Sequence, residues 1–262
     1  MGDEILTFED VALRFKAETI YDRLTFSVRR GEFLCILGPS GCGKSTSLRL
    51  MGDLLPADGG RVTVTGLPPA EGWERLAYVF QSPRLAPWRT ARENVMLGME
   101  LRFGDRSKAE MRQTADRLLR LVGLGNDMEK YPAMLSGGER QRVSIARALS
   151  VDPDIILMDE PFSALDLNTR RRMRDEIVRI WRETGKTVVF VTHDVDEALT
   201  LADRVLLFSN KPTTVLETLE LDEARPRDIA ATPSLAARKA RLIDLFRSLE
   251  IKANEQEGSI AS

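Results

Sequence analysis

The sequence holds one histidine, His193, and two cysteines, Cys35 and Cys42, in 262 residues. Two cysteines without metal-site spacing exclude a disulfide framework and a cysteine-rich metal centre, and a reducing cytosol is the compartment they suit. No apolar run approaches the roughly 18 to 20 residues needed to cross a bilayer. The longest, such as "DIILM" and "TVVFV", are strand-length. The opening "MGDEILTFED" is acidic and carries no signal-peptide pattern. The formal net charge is −2, so no global basic field points to nucleic acid. Internal repeats and sustained heptads are missing, and single copies of each feature imply one module. A lone histidine is more often structural than catalytic, so His193, in "VVFVTHDVDEA", must be placed by its surroundings.

What is present is ordinary for a globular protein: 43% apolar and 30% charged residues. "ILTFEDVALRF" and "LTFSVRRGEFLCIL" read as strands with Gly31 between them. "EFLCILG" is a short apolar run ending at glycine, as a buried strand would. In "KSTSLRLMGDLL", Leu48, Met51 and Leu55 fall at helical spacing. "GGRVTVTG" and "RLAYVFQ" read as further strands. From about residue 83 to 153 the chain turns helical and amphipathic, in "RTARENVMLGMELRF", "SKAEMRQTADRLLRLVGL" and "ERQRVSIARALS". Strands return at "DIILMDE", "TVVFVTH" and "DRVLLFS", with helices between. Alternating strands and helices predict an α/β core with a mainly parallel sheet, an antiparallel β part near the N-terminus and an inserted α-helical subdomain. The expected division is an α/β core over 1–82 and 154–220, a helical insert over 83–153 and a short helical tail over 221–262 that frays into "ANEQEGSIAS".

Three segments carry chemistry. "GPSGCGKST" comprises Gly38, Pro39, Ser40, Gly41, Cys42, Gly43, Lys44, Ser45 and Thr46. It matches G-x-x-x-x-G-K-[ST], after a strand and before a helix. Glycines let backbone N–H groups wrap a phosphate, and the helix N-terminus adds its dipole. Lys44 then reaches the β- and γ-phosphates and Ser45 ligates Mg²⁺. The alternative is a chance glycine-rich turn. "IILMDEP" delivers Asp159 and Glu160 to the carboxyl edge of a sheet, where open α/β folds bind ligands. Asp159 suits Mg²⁺ and Glu160 suits polarising a water, unless both are simply solvated acids at a strand end. "LSGGERQR" reads as a capping box, with Ser136 capping a helix and Glu139 three residues on. Gly137 and Gly138 bring its backbone close to something, making a second anion site that the phosphate loop does not explain.

Taken in order, "GPSGCGKST", "LSGGERQR" and "IILMDEP" resemble the Walker A, signature and Walker B motifs of the nucleotide-binding subunits of ATP-binding cassette (ABC) transporters. The resemblance spans roughly residues 5 to 220 and implies a P-loop NTPase (RecA-like) fold that binds ATP and Mg²⁺. It implies that Ser136, Gly137, Gly138 and Glu139 complete the ATP site of a second subunit in a head-to-tail dimer. Gln81 in "YVFQSP" is similar to the Q-loop glutamine, a Mg²⁺ contact that relays to the membrane subunit. Asp166 in "SALD" is similar to the D-loop residue at the dimer interface. Phe15 stands where the family stacks an aromatic on adenine, with Tyr21 as the other candidate. His193 is similar to the switch histidine, which holds the γ-phosphate and orients Glu160. Cys42 lies in the phosphate loop, where a thiol reagent would reach it and ATP would shield it.

Finer resemblance in "VFQSPRLAPWRTARENVMLG" and "EARPRDIAATPSLAARKARLIDLF" points to the nitrate, sulfonate and taurine importer group. It implies import of a small solute, with a second ATPase subunit, two transmembrane permease subunits and a periplasmic or extracellular solute-binding protein as partners. Nucleic acid is not among them. The implied place is the cytoplasmic face of a bacterial inner membrane, held peripherally. Other separate-subunit ABC systems for lipid transport or export stay open, as does a soluble ABC ATPase that remodels nucleic acid or protein. Trp88 either lines a groove for the membrane subunit or packs internally. "TRRRMRDEIVRIWRE" reads as a solvated basic face with Met173, Ile177 and Ile180 turned to a core.

Overall fold

The computed structural model describes residues 3–16 and 18–260, with side chains for all of these except 250 and 252–260. Two compact units emerge, one formed by Glu74–Lys186 and the other by the segments on either side of it.

In the discontinuous unit, β1 (Glu4–Phe15), β2 (Glu18–Arg29) and β4 (Gly59–Val64) form an antiparallel sheet in the order β2-β1-β4. β1 and β2 alternate buried and exposed residues, as one-sided strands do. Their buried faces meet in cross-strand pairs such as Phe8 and Phe26, whose stacked rings lie 4.5 Å apart. β3 (Phe33–Leu37), β7 (Thr187–Thr192) and β8 (Arg204–Phe208) have every residue buried. Such strands are covered on both faces, and that is why they read as unbroken apolar runs. They pair in parallel with β3 in the middle.

The antiparallel strand β9 (Val215–Glu220) flanks β8. Of its apolar residues only Leu219 is buried, while Val215 is half-buried and Leu216 exposed, so the sequence pattern alone does not mark it. Helix α1 (Lys44–Met51) follows β3 and buries Leu48 and Met51, whereas Leu55 falls beyond its end. A one-turn helix α2 (Pro69–Gly72) follows β4.

The unit Glu74–Lys186 carries β5 (Leu76–Val79) and β6 (Ile155–Asp159), paired in parallel. Between them run α3 (Ala91–Arg102), α4 (Lys108–Leu121) and α5 (Gly137–Leu149), which pack on one another. Thr90 and Ser107 cap α3 and α4 with complete capping boxes. α6 (Leu167–Thr184) buries Met173, Ile177 and Ile180 and leaves much of its arginine-rich face exposed, as its spacing predicts.

Helix α7 (Val195–Leu201) and the tail helix α8 (Pro233–Ile260) belong to the discontinuous unit and pack together. α8 continues to Ile260, past the point where "ANEQEGSIAS" is expected to fray. Ala253, Glu255, Gln256 and Glu257 are good helix formers, which accounts for the difference. Before α8, Arg225 pairs with Asp203 at 2.7 Å. Arg227 is buried and donates to the carbonyls of Leu199, Ala202, Leu221 and Glu223. A guanidinium carries enough donors to satisfy several carbonyls at once, so the Arg-Pro-Arg run fastens the tail to the end of α7.

Candidate functional site

The phosphate loop leaves the end of β3. Gly41 and Gly43 take φ of 77° and 107°, a region that only glycine enters without cost. A Cβ at Gly43 would also sit tightly, 3.1 Å from Ile20 and Tyr21. It occupies the N-cap position of α1 without a side-chain cap, so the helix presents backbone N–H groups to the loop. Lys44 is 4% exposed, and its Nζ donates to Gly38 O at 2.9 Å and Pro39 O at 2.8 Å. Its ammonium is thereby held over the loop. Ser40 and Gly41 are exposed, and Pro39, Ser45 and Thr46 are half-buried.

Two sequence expectations need correction here. Tyr21 is fully buried and its hydroxyl donates to Gly43 O at 2.5 Å. It supports the loop from beneath and is no candidate for stacking on a base. Phe15, at the end of β1, is 43% exposed and remains available for that. Cys42 is 3% exposed, and burial pushes its thiol above the ordinary value. A neutral, enclosed thiol is a poor nucleophile, so Cys42 is not the reagent target its place in a loop suggests. Its carbonyl accepts from the Thr213 hydroxyl, so the loop rests on two buried hydroxyls.

His193 follows Thr192, the last residue of β7. The parallel register pairs Leu37 with Thr192, so the phosphate loop and His193 leave the same end of neighbouring strands. His193 is exposed. The turn behind it is rigid. Thr192 Oγ1 donates to the buried Glu197 carboxylate at 2.6 Å and accepts from Asp194 N at 3.0 Å. Asp194 caps α7 by accepting from Asp196 N and Glu197 N.

Gln81, Asp159 and Glu160 come together in the other unit. Val79 pairs with Met158, so the ends of β5 and β6 deliver these residues side by side. Tyr78 donates from its hydroxyl to Asp159 Oδ2 at 3.2 Å. Gln81 Nε2 donates to Ser163 Oγ at 3.1 Å, and Ser163 Oγ donates to Glu160 O at 3.0 Å. Glu160 has φ of 41°. A non-glycine residue in the left-handed region is strained, and such strain gathers at functional positions. Neither Tyr78 nor Ser163 stood out individually in the sequence, since a tyrosine in a strand and a serine in a turn are common.

The signature segment opens α5. Ser136 Oγ accepts from Glu139 N, and the Glu139 carboxylate accepts from Ser136 N at 2.7 Å. The capping box expected from the sequence is present. The close approach expected of its glycines is found at Gly138, where a Cβ would lie 2.7 Å from Thr169 Cγ2 on α6. A cavity of about 440 Å³ opens beside this turn, with Ser136, Glu139, Arg142, Thr169 and Arg172 in its wall. Asp166 is exposed and caps α6 through Asn168 N and Thr169 N. A hydrogen bond from the Thr169 side chain, together with those from the backbone N–H groups, holds its carboxyl below the usual range. Trp88 is 75% exposed, which rules out internal packing.

The ABC transporter family profile matches residues 21–163. The nitrate import ATP-binding protein NrtD of Synechococcus elongatus is 42% identical over 227 residues, covering 85% of this chain and 83% of its own. The aliphatic sulfonates import ATP-binding protein SsuB 2 of Burkholderia cenocepacia is 43% identical over 235 residues, covering 90% and 84%. Among solved structures, a dimeric ATP-binding cassette in a post-hydrolysis state bound to ADP and Pi aligns with a TM-score of 0.71 at 33% identity. That alignment covers 84% of this chain and all of the other.

Proposed function

The chain belongs to the ABC transporter family as an ATPase coupled to transport, and from that premise we propose that it is the ATP-hydrolysing subunit of a multi-subunit importer for a small anionic solute. The observation that carries the catalytic reading is the phosphate loop, with its two left-handed glycines and its enclosed lysine. The likeness to nitrate and sulfonate import proteins over most of the chain supports import of an anion such as nitrate, a sulfonate or taurine.

In this reading Gly38–Thr46 wrap the phosphates of ATP, with Lys44 against the β- and γ-phosphates and Phe15 on the adenine. Ser45, Asp159 and Gln81 offer a hydroxyl, a carboxylate and an amide oxygen, a hard donor set of the kind Mg²⁺ takes. Asp159 and Gln81 follow from neighbouring parallel strands of one unit, so the residues suit the ion. Bound Mg²⁺ would supply neutralisation of charge on the phosphates. Glu160 polarises the attacking water, which adds to the γ-phosphorus as the bond to ADP breaks, leaving ADP and phosphate. His193 holds the γ-phosphate and keeps that geometry. Most of the rate enhancement comes from positioning and electrostatics.

Ser136, Gly137, Gly138 and Glu139 serve the ATP of a second copy, with Asp166 at the interface between the copies. Two permease subunits and an extracytoplasmic solute-binding protein complete the assembly. No helix among the described residues is long and apolar enough to cross a membrane. In this reading the chain sits at the cytoplasmic face, bound to its permeases. The test is Glu160→Gln. The variant should bind ATP, sediment as an ATP-dependent dimer and lose hydrolysis by about a hundredfold or more. Hydrolysis at the wild-type rate would overturn the assignment of Glu160.

A further inference from the structure

The mechanism above uses Asp159 and Gln81 but leaves unexplained what surrounds them on β5. Tyr78 and Phe80 stack, with ring centroids 4.3 Å apart and planes 29° from parallel. The Arg84 guanidinium lies 4.3 Å from the centre of the Phe80 ring. The backbone under this column is pinned from α5. Arg147 donates to Pro83 O at 2.7 Å and to Arg84 O at 2.9 Å. At the other end, the Tyr78 hydroxyl reaches Asp159 Oδ2. The register explains the reach. Tyr78 pairs with Leu157 on β6, and Asp159 lies two residues further along the same face.

We propose that Tyr78 is a positioning residue for Asp159, and that the column Tyr78–Phe80–Arg84 sets the Asp159 carboxylate from the loop that carries Gln81. This rests on the reading of Asp159 as the Mg²⁺ carboxylate. A phenol donating to one carboxylate oxygen fixes rotation about the Cβ–Cγ bond. A freely rotating carboxylate would lose orientational entropy on meeting the metal. Groups that orient a ligand in this way commonly change metal affinity by about 10- to 100-fold when removed. The stacked ring matters because a phenol that can swing cannot hold its hydroxyl on Asp159. Offset stacking and a guanidinium over the ring face restrict that swing.

The experiment titrates Mg²⁺ against binding of a fluorescent ATP analogue to the full chain, in the wild type, Tyr78→Phe and Phe80→Leu. Thermal melting runs alongside. Tyr78→Phe keeps the ring and deletes only the hydroxyl. It should leave metal-free nucleotide binding unchanged and raise the half-saturating Mg²⁺ concentration about tenfold. Phe80→Leu should move the same midpoint in the same direction by a smaller factor, with the hydroxyl still present. Hydrolysis should fall in kcat, and the KM for ATP should hold at saturating Mg²⁺. A Tyr78→Phe midpoint equal to the wild type's would overturn the proposal and leave the metal reading of Asp159 intact. Equal losses of metal-free and metal-dependent binding would also overturn it, by showing a merely structural tyrosine. A wild type whose nucleotide binding ignored Mg²⁺ would overturn the reading of the site and the proposal together.

Discussion

The Tyr21 hydroxyl donates a 2.5 Å hydrogen bond to the carbonyl of Gly43, the residue at φ 107° that turns the phosphate loop into α1. A buried phenol therefore holds the loop's left-handed glycine turn from below. Burial pushes the phenol well above its ordinary value, so it stays a donor at any working pH. Tyr21→Phe removes that donor and leaves the Gly43 carbonyl with only the helical bond from Ser47 N, at a cost of about 0.5 to 1.5 kcal/mol. Melting temperature should fall by several degrees, and ATP should bind more weakly. Thr213→Val removes the donor to the neighbouring Cys42 carbonyl. Because both act on one loop, the double variant should lose less or more than the sum of the singles. Calorimetry and nucleotide titration on all four proteins check this. A Tyr21→Phe protein with unchanged melting and unchanged ATP affinity would contradict the role.

The enclosed thiols make a second prediction. Cys35 is fully buried and Cys42 nearly so, and burial raises both thiols. A thiol-disulfide reagent at pH 8 should therefore react with the native chain far more slowly than with the chain in denaturant, where two thiols per chain should appear. Added ATP should change the native rate little, because the protein already covers both sulfurs. Fast native labelling of one thiol, suppressed by ATP, would place Cys42 at the loop surface after all.

How much of this was legible in the sequence depends on sequence separation. The strands β3, β7 and β8 are buried along their length and mostly apolar because they are covered on both faces, so their residues announce them. β9 could not be read, because an edge strand with partly exposed residues leaves a weak pattern. The phosphate loop, the Walker B acids and the capping box at Ser136 are local patterns, and the capping box is present in full. What supports them is not local. Tyr21 lies 22 residues from Gly43, and Thr213 lies 171 residues from Cys42. No spacing rule joins such pairs, and so the sequence alone leaves Tyr21 a base-stacking candidate. Cys42 misled for a related reason. Loop residues are usually exposed, and only the packed strands behind this loop show that its sulfur faces inward.

Glu139 yields a pH prediction. Its carboxylate is held below the ordinary value by hydrogen bonds from Ser136, the backbone N–H first. A carboxyl depressed in the folded state contributes stability above its unfolded value, about 4.3, and that contribution is lost as pH falls through the folded value. The first turn of α5 should therefore loosen below about pH 4, seen as faster amide exchange at residues 137–140 after correction for intrinsic rates. Glu139→Gln keeps an acceptor for Ser136 N–H and should abolish that pH dependence while leaving the turn protected at neutral pH. Glu139→Ala should expose the turn at every pH, at a cost of about 1 kcal/mol. A pH profile in Glu139→Gln that matched the wild type would move the titration to another group.

The last prediction separates His193 from the turn that presents it. His193 is exposed at the end of β7, while Thr192 and Glu197 behind it are buried and joined at 2.6 Å. If His193 touches the γ-phosphate and keeps Glu160 and water in line, His193→Ala should lower kcat by about 10² or more and shift ATP affinity by only a few fold. Melting should not change, because an exposed side chain supports little. Thr192→Val removes the hydroxyl that accepts from Asp194 N and donates to Glu197. It should lower kcat by a smaller factor and also lower the melting temperature, since it leaves Glu197 buried without that donor. The two variants thus differ in their pairing of effects: catalysis without stability for His193, both together for Thr192. Parallel losses of ATP affinity and kcat in His193→Ala would show that the histidine shapes the site rather than reading the phosphate.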